Sequence, residues 1–242
     1  MFSEIRTGLR QLFFPDNCFL CRRFIQSPAK QLCPSCQEAI HLNKPPFCLF
    51  CSRHLEHFTD AGLCQHCQGQ GFAMDRLWSA CLYEEPLVSL IHAFKYHQKT
   101  GLRHLFISLI IQFLETYSVS LHNVDVVVPV PLHPSRLRER GYNQAELLSV
   151  LLSAYIQKHH APHLLRRSKP TPSQTTLSSK QRWTNMQGTF TIQSSQALTM
   201  LANQHVLLVD DLITTKATCH AAAKALKEAG AARVSVISLA IV

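Results

Sequence analysis

Short apolar runs alternate with segments of helical periodicity over the last two thirds of the chain. The runs at 78–83, 126–130 and 206–209 predict β-strands, and their apolar character is typical of parallel strands covered on both faces. A segment of helical character follows each run. This alternation predicts an α/β fold in which helices flank a parallel sheet and the crossovers are right-handed.

The helical segments carry apolar residues three and four positions apart. The first is centred on 87–94, the second runs from about 102 to 117, and the third opens within 136–144 and continues to about 158. An alanine-rich helix at 218–229 is stopped by Gly230. No apolar stretch approaches the length of a transmembrane helix, so we do not expect an integral membrane protein.

The first 72 residues have a different pattern, which is set by cysteine. Eight of the ten cysteines precede Gly69 in four C-x-x-C pairs, with eleven residues between the first two pairs and twelve between the last two. Two such pairs can present four thiolates to one tetrahedral metal ion. We therefore predict a double zinc-knuckle module at 1–72 with up to two structural zinc ions. The ligands are Cys18, Cys21, Cys33, Cys36, Cys48, Cys51, Cys64 and Cys67.

A disulfide framework is the competing interpretation of these cysteines. The N-terminus lacks the long apolar core of a secretory signal, which favours a cytoplasmic chain with reduced thiols. A thioredoxin-like redox motif would be single and adjacent to a βαβ unit, so four pairs favour zinc. The spacing leaves open whether the two sites use the pairs sequentially or interleaved. Cys81 and Cys219 are expected to be small buried side chains.

Charge is the next indication of function. The chain carries 24 Lys and Arg against 15 Asp and Glu, a formal net charge of +9. Each zinc with four thiolates adds −2, so two sites would lower the balance to about +5. The remaining excess suits a phosphate-rich ligand or a nucleic-acid backbone, and we expect Arg136, Arg138 and Arg140 to contact a nucleic-acid backbone or a diphosphate.

The apolar run at 206–209 leads directly into two acids and a hydroxyl-rich turn. Ligands of open α/β sheets bind at the carboxyl ends of strands, and a helix N-terminus favours anions. Asp210 and Asp211 suit ribose hydroxyls or magnesium, because both prefer anionic oxygen. The predicted phosphate-binding residues are Thr214, Thr215, Lys216, Ala217 and Thr218.

This segment resembles the ribose-phosphate signature of type I phosphoribosyltransferases, in which two acids and two variable residues precede Thr-Thr-Gly-x-Thr. Lys216 occupies the glycine position of that signature. A tight anion-binding turn commonly needs a backbone conformation that costs a non-glycine residue about 1 kcal/mol or more. Two interpretations follow: the loop is reshaped and the lysine is solvated, or the lysine joins the site.

The resemblance extends over nearly the whole chain to the ComF family of phosphoribosyltransferase-like proteins. It rests on Val-Pro-Val-Pro-Leu-His at 128–133, Arg-Gly-Tyr-Asn-Gln at 140–144, the Asp-Asp turn and the cysteine pairs. Ile-His-Ala-Phe-Lys-Tyr at 91–96 and the basic run from Arg166 also fit. The resemblance implies a type I phosphoribosyltransferase-like parallel sheet flanked by helices at 73–242. It also implies handling of single-stranded DNA during uptake by competent bacteria.

Within this resemblance, residues acquire specific expected roles. Asp210, Asp211 and Lys169 are the candidate catalytic residues, with Lys169 on a loop that closes over the reaction. Pro131, Leu132 and Arg140 belong to the segment that resembles the pyrophosphate loop. The ligand would be phosphoribosyl pyrophosphate with magnesium.

Two functions remain open. The first is an enzyme that transfers a ribose phosphate to an acceptor. The alternative is a non-catalytic module of the DNA-uptake machinery that binds single-stranded DNA or a partner and has a regulatory nucleotide site. In that case a DNA-translocating helicase is an expected partner, which could hold the cytoplasmic protein at the inner face of the membrane.

Overall fold

The structure is a computed structural model that describes residues 17–25, 31–55, 61–168, 188–192 and 195–242. Within these ranges, five strands form one parallel sheet in the order β1-β7-β6-β2-β3, and β4 pairs antiparallel with β5. The strands are β1 (Arg76–Leu82), β2 (Val126–Pro129), β3 (His159–His160), β4 (Leu165–Arg167), β5 (Phe190–Ile192), β6 (His205–Ile213) and β7 (Arg233–Ile241).

Helices cover both faces of the sheet, which confirms the predicted α/β class. The helices of the described residues are α1 (Pro34–Glu38), α2 (Leu87–Tyr96), α3 (Arg103–Thr116), α4 (Pro134–Arg140), α5 (Gln144–Ile156), α6 (Ser195–Leu201) and α7 (Ala217–Glu228). A short 3₁₀ turn, Thr100–Leu102, leads into α3. No helix in the described ranges has both the length and the apolar character needed to cross a membrane.

The prediction of one helix from within 136–144 to about 158 is wrong, because the chain forms α4 and α5 there. Gly141 has a φ of 81°, a left-handed conformation that ends α4. Asn143 then caps α5 by accepting a hydrogen bond from the backbone N–H of Ala145. The break places Arg140, the last residue of α4, next to Gln144 at the start of α5.

Strand β6 lies at the centre of the sheet, between β7 and β2. Val209 is paired with Ile237 on one side and Pro129 on the other. Successive side chains of a strand point to opposite faces. Accordingly, Leu207 joins the apolar core under α2, α3 and α5, whereas Leu208 joins the core under α7. Burial on both faces explains why this strand is a continuous apolar run in the sequence.

The eight N-terminal cysteines form two separate clusters, each built from consecutive C-x-x-C pairs. The first cluster is Cys18, Cys21, Cys33 and Cys36, and the second is Cys48, Cys51, Cys64 and Cys67. Within each cluster the ligand atoms lie within 4.8 Å of one another. The structure thus selects the sequential arrangement that spacing had left open. The two remaining cysteines, Cys81 and Cys219, are buried as predicted.

The two cysteine clusters pack against opposite faces of the sheet. Cys18 and Cys33 belong to the apolar core that contains α2 and α3, whereas the second cluster belongs to the core that contains α7. The clusters also differ in exposure: all four cysteines of the second are buried, but Cys21 is exposed and Cys36 is partly exposed. Solvent and competing ligands therefore have easier access to the first cluster.

We expect a strong chelator to remove zinc in two kinetic phases, the faster one from the first cluster. Exposure of Cys21 lets a competing ligand attack there without local unfolding, whereas the second cluster must open first. Release can be followed with a colorimetric zinc indicator. Cys21→Ser should abolish the fast phase, and the matched Cys51→Ser variant should abolish the slow one. Loss of both zinc ions in one phase from the wild type would contradict this prediction.

Candidate functional site

A cleft of about 540 Å³ opens at the carboxyl end of β6. This is the edge of the sheet at which open α/β proteins bind ligands. Three helices contribute residues to the cleft: α2 and α4, which precede β6 in the sequence, and α7, which begins just after β6. The polar residues that line the cleft include His92, Lys95, Tyr96, Arg136, Arg140, Asp210, Thr214, Thr215, Lys216 and Thr218.

In the turn from β6 into α7, Lys216 has the left-handed backbone conformation that glycine adopts easily. β6 ends at Ile213 and α7 begins at Ala217, so the direction changes within three residues. Lys216 has φ 64° and ψ −5°, in the left-handed region that costs a residue with a side chain about 1 kcal/mol. The loop has therefore not relaxed to accommodate lysine.

The side chain of Lys216 is also buried, with 5% of its surface exposed. Its Nζ lies 5.7 Å from the centroid of the Phe72 ring, within the range of a cation–π contact. Because Lys216 lines the cleft as well, it is not the solvated surface residue of the first interpretation. The side chain of Lys216, the N-cap residue, makes no capping hydrogen bond to α7. The first N–H groups of a helix lack intrahelical partners and favour anions.

The two adjacent acids point to opposite faces of β6. Asp210 lines the cleft on the side of α7, where the thiol of Cys219 lies 3.9 Å from its Oδ2. Asp211 instead turns toward α2, and its Oδ2 lies 3.1 Å from Nζ of Lys95. The side chains of Asp211 and Lys95 are 10% and 16% exposed. Oδ2 of Asp211 accepts no hydrogen bond from the described residues. Its negative charge is therefore balanced by the ion pair with Lys95.

Asp210 is held in an environment that disfavours its charged form. Burial and the neighbouring Asp211 carboxylate raise the pKa of Asp210 to about 8, and the Lys95 charge only partly offsets them. Burial and Asp210 also raise the pKa of the Cys219 thiol. A cation or hydroxyl donors in the cleft would therefore stabilise the charged form of Asp210.

The segment 140–144 forms a rigid joint beside the cleft. Gly141 ends α4 in the left-handed conformation, and the hydroxyl of Tyr142 donates a hydrogen bond to a backbone carbonyl of α2. Asn143 donates from Nδ2 to the carbonyl oxygen of Val130 at 3.1 Å, which ties the joint to the loop after β2. The motif seen in the sequence thus ties α4 to α2 and to the loop after β2.

This joint fixes the position of Arg140. Its Nη1 donates to Oε1 of Gln144 at 3.1 Å, and its guanidinium carbon lies 5.2 Å from the ring centroid of Tyr96. Arg136 also lines the cleft, one helical turn before Arg140. Arg138 lies on another side of α4 and is exposed. The three arginines predicted as one group are therefore divided between the cleft and the surface.

Of the other predicted site residues, the structure describes Pro131, Leu132 and Ala217. Pro131 and Leu132 follow β2 at the same edge of the sheet and are partly buried, but they do not line the cleft. Ala217 is buried at the first position of α7. Lys169 lies outside the described residues.

Sequence reasoning assigned no role to the residues that α2 brings to the cleft. The polar ones are His92, Lys95 and Tyr96, and the apolar Val88 and Ile91 line the cleft beside them. The spacing within 91–96 could have indicated the polar residues. Positions 92, 95 and 96 share one helical face, whereas 91 and 94 are buried in the core. A polar stripe on an amphipathic helix is usually solvent-facing, so only the fold shows that this one faces a cleft.

Comparisons with known protein families match both parts of the chain. Residues 9–72 match the family described as "Double zinc ribbon domain". Residues 160–241 match the family described as "Phosphoribosyl transferase domain". The first match agrees with the two four-cysteine clusters, whose donor sets fit structural zinc because four thiolates leave no open coordination position.

Several named proteins are similar over almost their entire length. "Competence protein F" of Haemophilus influenzae is 32% identical over 233 residues, covering 94% of this chain and 98% of that protein. "DNA utilization protein YhgH" of Escherichia coli K12 is 28% identical, covering 93% and 96%. "Competence protein ComFC" of Bacillus subtilis is 28% identical and covers 99% of both chains.

Lys95→Met should destabilise the protein by about 3 kcal/mol, because it leaves the buried Asp211 carboxylate without its cation. Urea unfolding measures the loss. The double variant Lys95→Met/Asp211→Asn should recover much of it, since no unpaired charge remains. Losses that simply add in the double variant would show that the two side chains are not coupled.

Stability of the ligand-free protein should fall as pH rises from about 4 to about 8, through the contribution of Asp210. The folded state retains this proton to a higher pH than the unfolded chain, so unfolding releases it within that window. Asp210→Asn should flatten this part of the profile and stabilise the protein more at pH 8 than at pH 4. Thermal unfolding across pH tests this, and parallel profiles for both proteins would contradict it.

Proposed function

Because the chain belongs to the ComF family, we propose that it binds phosphoribosyl pyrophosphate with magnesium and acts in natural competence and DNA utilisation. The observation that carries the proposal is the strand–turn–helix unit, which combines Asp210, a left-handed turn and the N-terminus of α7 in one cleft. The names of the related proteins support the biological context.

The 5′-phosphate of the ligand binds at the turn. Thr214, Thr215 and Thr218 provide hydroxyl donors, and the first turn of α7 provides N–H groups with the favourable end of the helix dipole. Lys216 adds a positive charge that the glycine of the usual signature cannot supply. Ala217 contributes its backbone only, and its small side chain allows α7 to start close to the sheet.

Asp210 is the carboxylate that meets the ribose hydroxyls or the magnesium ion. When bound with the ligand, magnesium supplies charge neutralisation for the diphosphate. Asp211 acts through Lys95, because their ion pair holds the lysine at the cleft wall. This division gives the two acids different roles, one toward the ligand and one toward a neighbouring cation.

The diphosphate binds on the side of α4. Arg136 and Arg140 face the cleft, and Arg140 is held in place by Tyr96 and Gln144 before any ligand arrives. Such preorganised cations stabilise the charge that develops on a leaving diphosphate. Pro131 and Leu132 position the loop at this edge, and Lys169 closes over the ligand. We expect transfer of the ribose phosphate to an acceptor, with the transferase core at 73–242.

A second candidate function is binding of single-stranded DNA or of a protein partner such as a helicase. The exposed position of Arg138, outside the cleft but on the same short helix as Arg136 and Arg140, favours it. A phosphate backbone could pass along α4 while the cleft holds a nucleotide. In this case the zinc module at 1–72 supports binding and the phosphoribosyl site is regulatory. Both functions place the protein in the cytoplasm.

The decisive prediction compares Arg140→Ala with Arg138→Ala, which remove the same charge from the same helix. Phosphoribosyl pyrophosphate with magnesium should stabilise the wild type by about 2.7 kcal/mol at 100 times Kd. Arg140→Ala and Asp210→Asn should weaken binding about tenfold or more, whereas Arg138→Ala should leave it unchanged. Thermal shift and calorimetric titration measure these effects. Absence of any shift in the wild type would refute the ligand.

The same variants separate the two functions. Binding of labelled single-stranded DNA at low salt should weaken in Arg138→Ala if α4 holds the DNA backbone, and an undetectable interaction would remove the second candidate. Transfer of the ribose phosphate would be established if the wild type releases pyrophosphate in the presence of a base and Asp210→Asn does not. Ligand binding without release under all conditions would instead support a regulatory site.

A further inference from the structure

The second cysteine cluster extends directly to the phosphate turn. Phe50, between Cys48 and Cys51, stacks on Phe72 with ring centroids 4.8 Å apart and an interplanar angle of 15°. Its carbonyl oxygen accepts a hydrogen bond of 2.9 Å from the backbone N–H of Leu77 at the start of β1. The ring of Phe72 therefore rests on the metal-binding segment, which is itself attached to the edge of the parallel sheet.

The other side of Phe72 meets the turn. Nζ of Lys216 lies 5.7 Å from its ring centroid, and the next residue, Ala73, donates its backbone N–H to Nδ1 of His220 in α7 at 3.1 Å. The cysteine module and the start of α7 are thus joined by one cation–π contact and one hydrogen bond. Both contacts lie within the first turn of α7 or immediately before it.

An aromatic partner has a particular consequence for the lysine charge. A carboxylate beside Lys216 would neutralise the ammonium group, whereas an aromatic face orients it and leaves its charge and hydrogen-bond donors available. None of the salt bridges formed by described residues includes Lys216. The turn therefore contains a buried cation that lines the cleft, is held by a ring and forms no salt bridge with a carboxylate in the described part of the chain.

We propose that Phe72 positions Lys216 as an anion-binding group, so that the second zinc ribbon sets the affinity of the cleft for the phosphate of its ligand. This inference rests on the proposed ligand site and adds a residue outside the phosphoribosyltransferase signature. Phe72 is a positioning residue, since it acts through the lysine and does not line the cleft.

The proposal also explains how lysine is tolerated at a left-handed position. The strained backbone directs the Lys216 side chain toward Phe72, where burial of its methylene stem and the cation–π contact offset the conformational cost. With glycine the turn would bind phosphate through backbone amides and threonines alone. With lysine, the affinity depends additionally on the metal-stabilised segment that holds Phe72.

The test is a double-mutant cycle on the zinc-loaded full chain, with phosphoribosyl pyrophosphate and magnesium as the probe. Phe72→Leu, which keeps an apolar side chain but removes the ring, should weaken binding about tenfold, or ~1.4 kcal/mol. Phe72→Tyr keeps the ring and should bind like the wild type. Lys216→Gly should weaken binding by a similar factor, and Phe72→Leu/Lys216→Gly should bind no more weakly than Lys216→Gly alone.

Zinc content measured by elemental analysis shows whether the ribbon of each variant is intact, so that loss of fold is not mistaken for loss of the contact. The proposal is overturned if Phe72→Leu binds the probe as tightly as the wild type. It is also overturned if Phe72→Leu weakens binding by the same factor in the Lys216→Gly background as in the wild type. An equal loss in Phe72→Tyr and Phe72→Leu overturns it as well, since it would mean that the ring is not what matters.

The cycle is repeated with ribose 5-phosphate, which carries the 5′-phosphate but no diphosphate. If the wild type binds ribose 5-phosphate but not phosphoribosyl pyrophosphate, the proposed function fails while the ribose 5-phosphate cycle still decides the role of Phe72. If the wild type binds both and the cycle is additive, the proposed function stands and the inference fails. Absence of binding to either anion overturns both.

Discussion

The constraint on which the site depends is the abrupt change of direction between β6 and α7. Both elements are buried, so the three intervening residues must connect them without moving either, and Lys216 takes a left-handed conformation to do so. The same geometry directs the first turn of α7 and the threonine hydroxyls toward the cleft. A conformation that is unfavourable locally is retained because the surrounding strand, helix and Phe72 ring leave the turn little alternative.

The site is assembled from both faces of the sheet, because β6 sends Asp210 to one side and Asp211 to the other. On the α2 side, Lys95 pairs with Asp211 and also reaches the cleft. On the α7 side, the second cysteine cluster supports Phe72 and through it Lys216. The cysteine-rich module therefore contacts the turn at the cleft through Phe72, and each of its cysteine clusters packs against a different core.

Most of the fold and part of the site could be predicted from sequence, because they depend on local patterns. The apolar run before Asp210 predicted a buried strand, and the cysteine spacing predicted two metal clusters. The ion pair between Lys95 and Asp211 could not be predicted from the sequence. Alternation along a strand places Asp210 and Asp211 on opposite faces, but it does not show that Lys95, more than a hundred residues earlier, contacts Asp211. Gly141 and Asn143 are a stop and a cap signal for the break between α4 and α5, which the prediction of one helix did not use. The contact of Lys216 with Phe72 exists only through tertiary packing.

A structure of the protein in complex with phosphoribosyl pyrophosphate and magnesium would show whether the turn after β6 holds the phosphate. We predict that the 5′-phosphate lies within the turn 214–218, with Lys216 still left-handed and its Nζ between that phosphate and the Phe72 ring. The ribose should face Asp210, and the Lys95–Asp211 pair should remain intact. A phosphate bound elsewhere, or a Lys216 side chain that leaves Phe72 for solvent, would contradict the central claim that the zinc-supported turn forms the anion site.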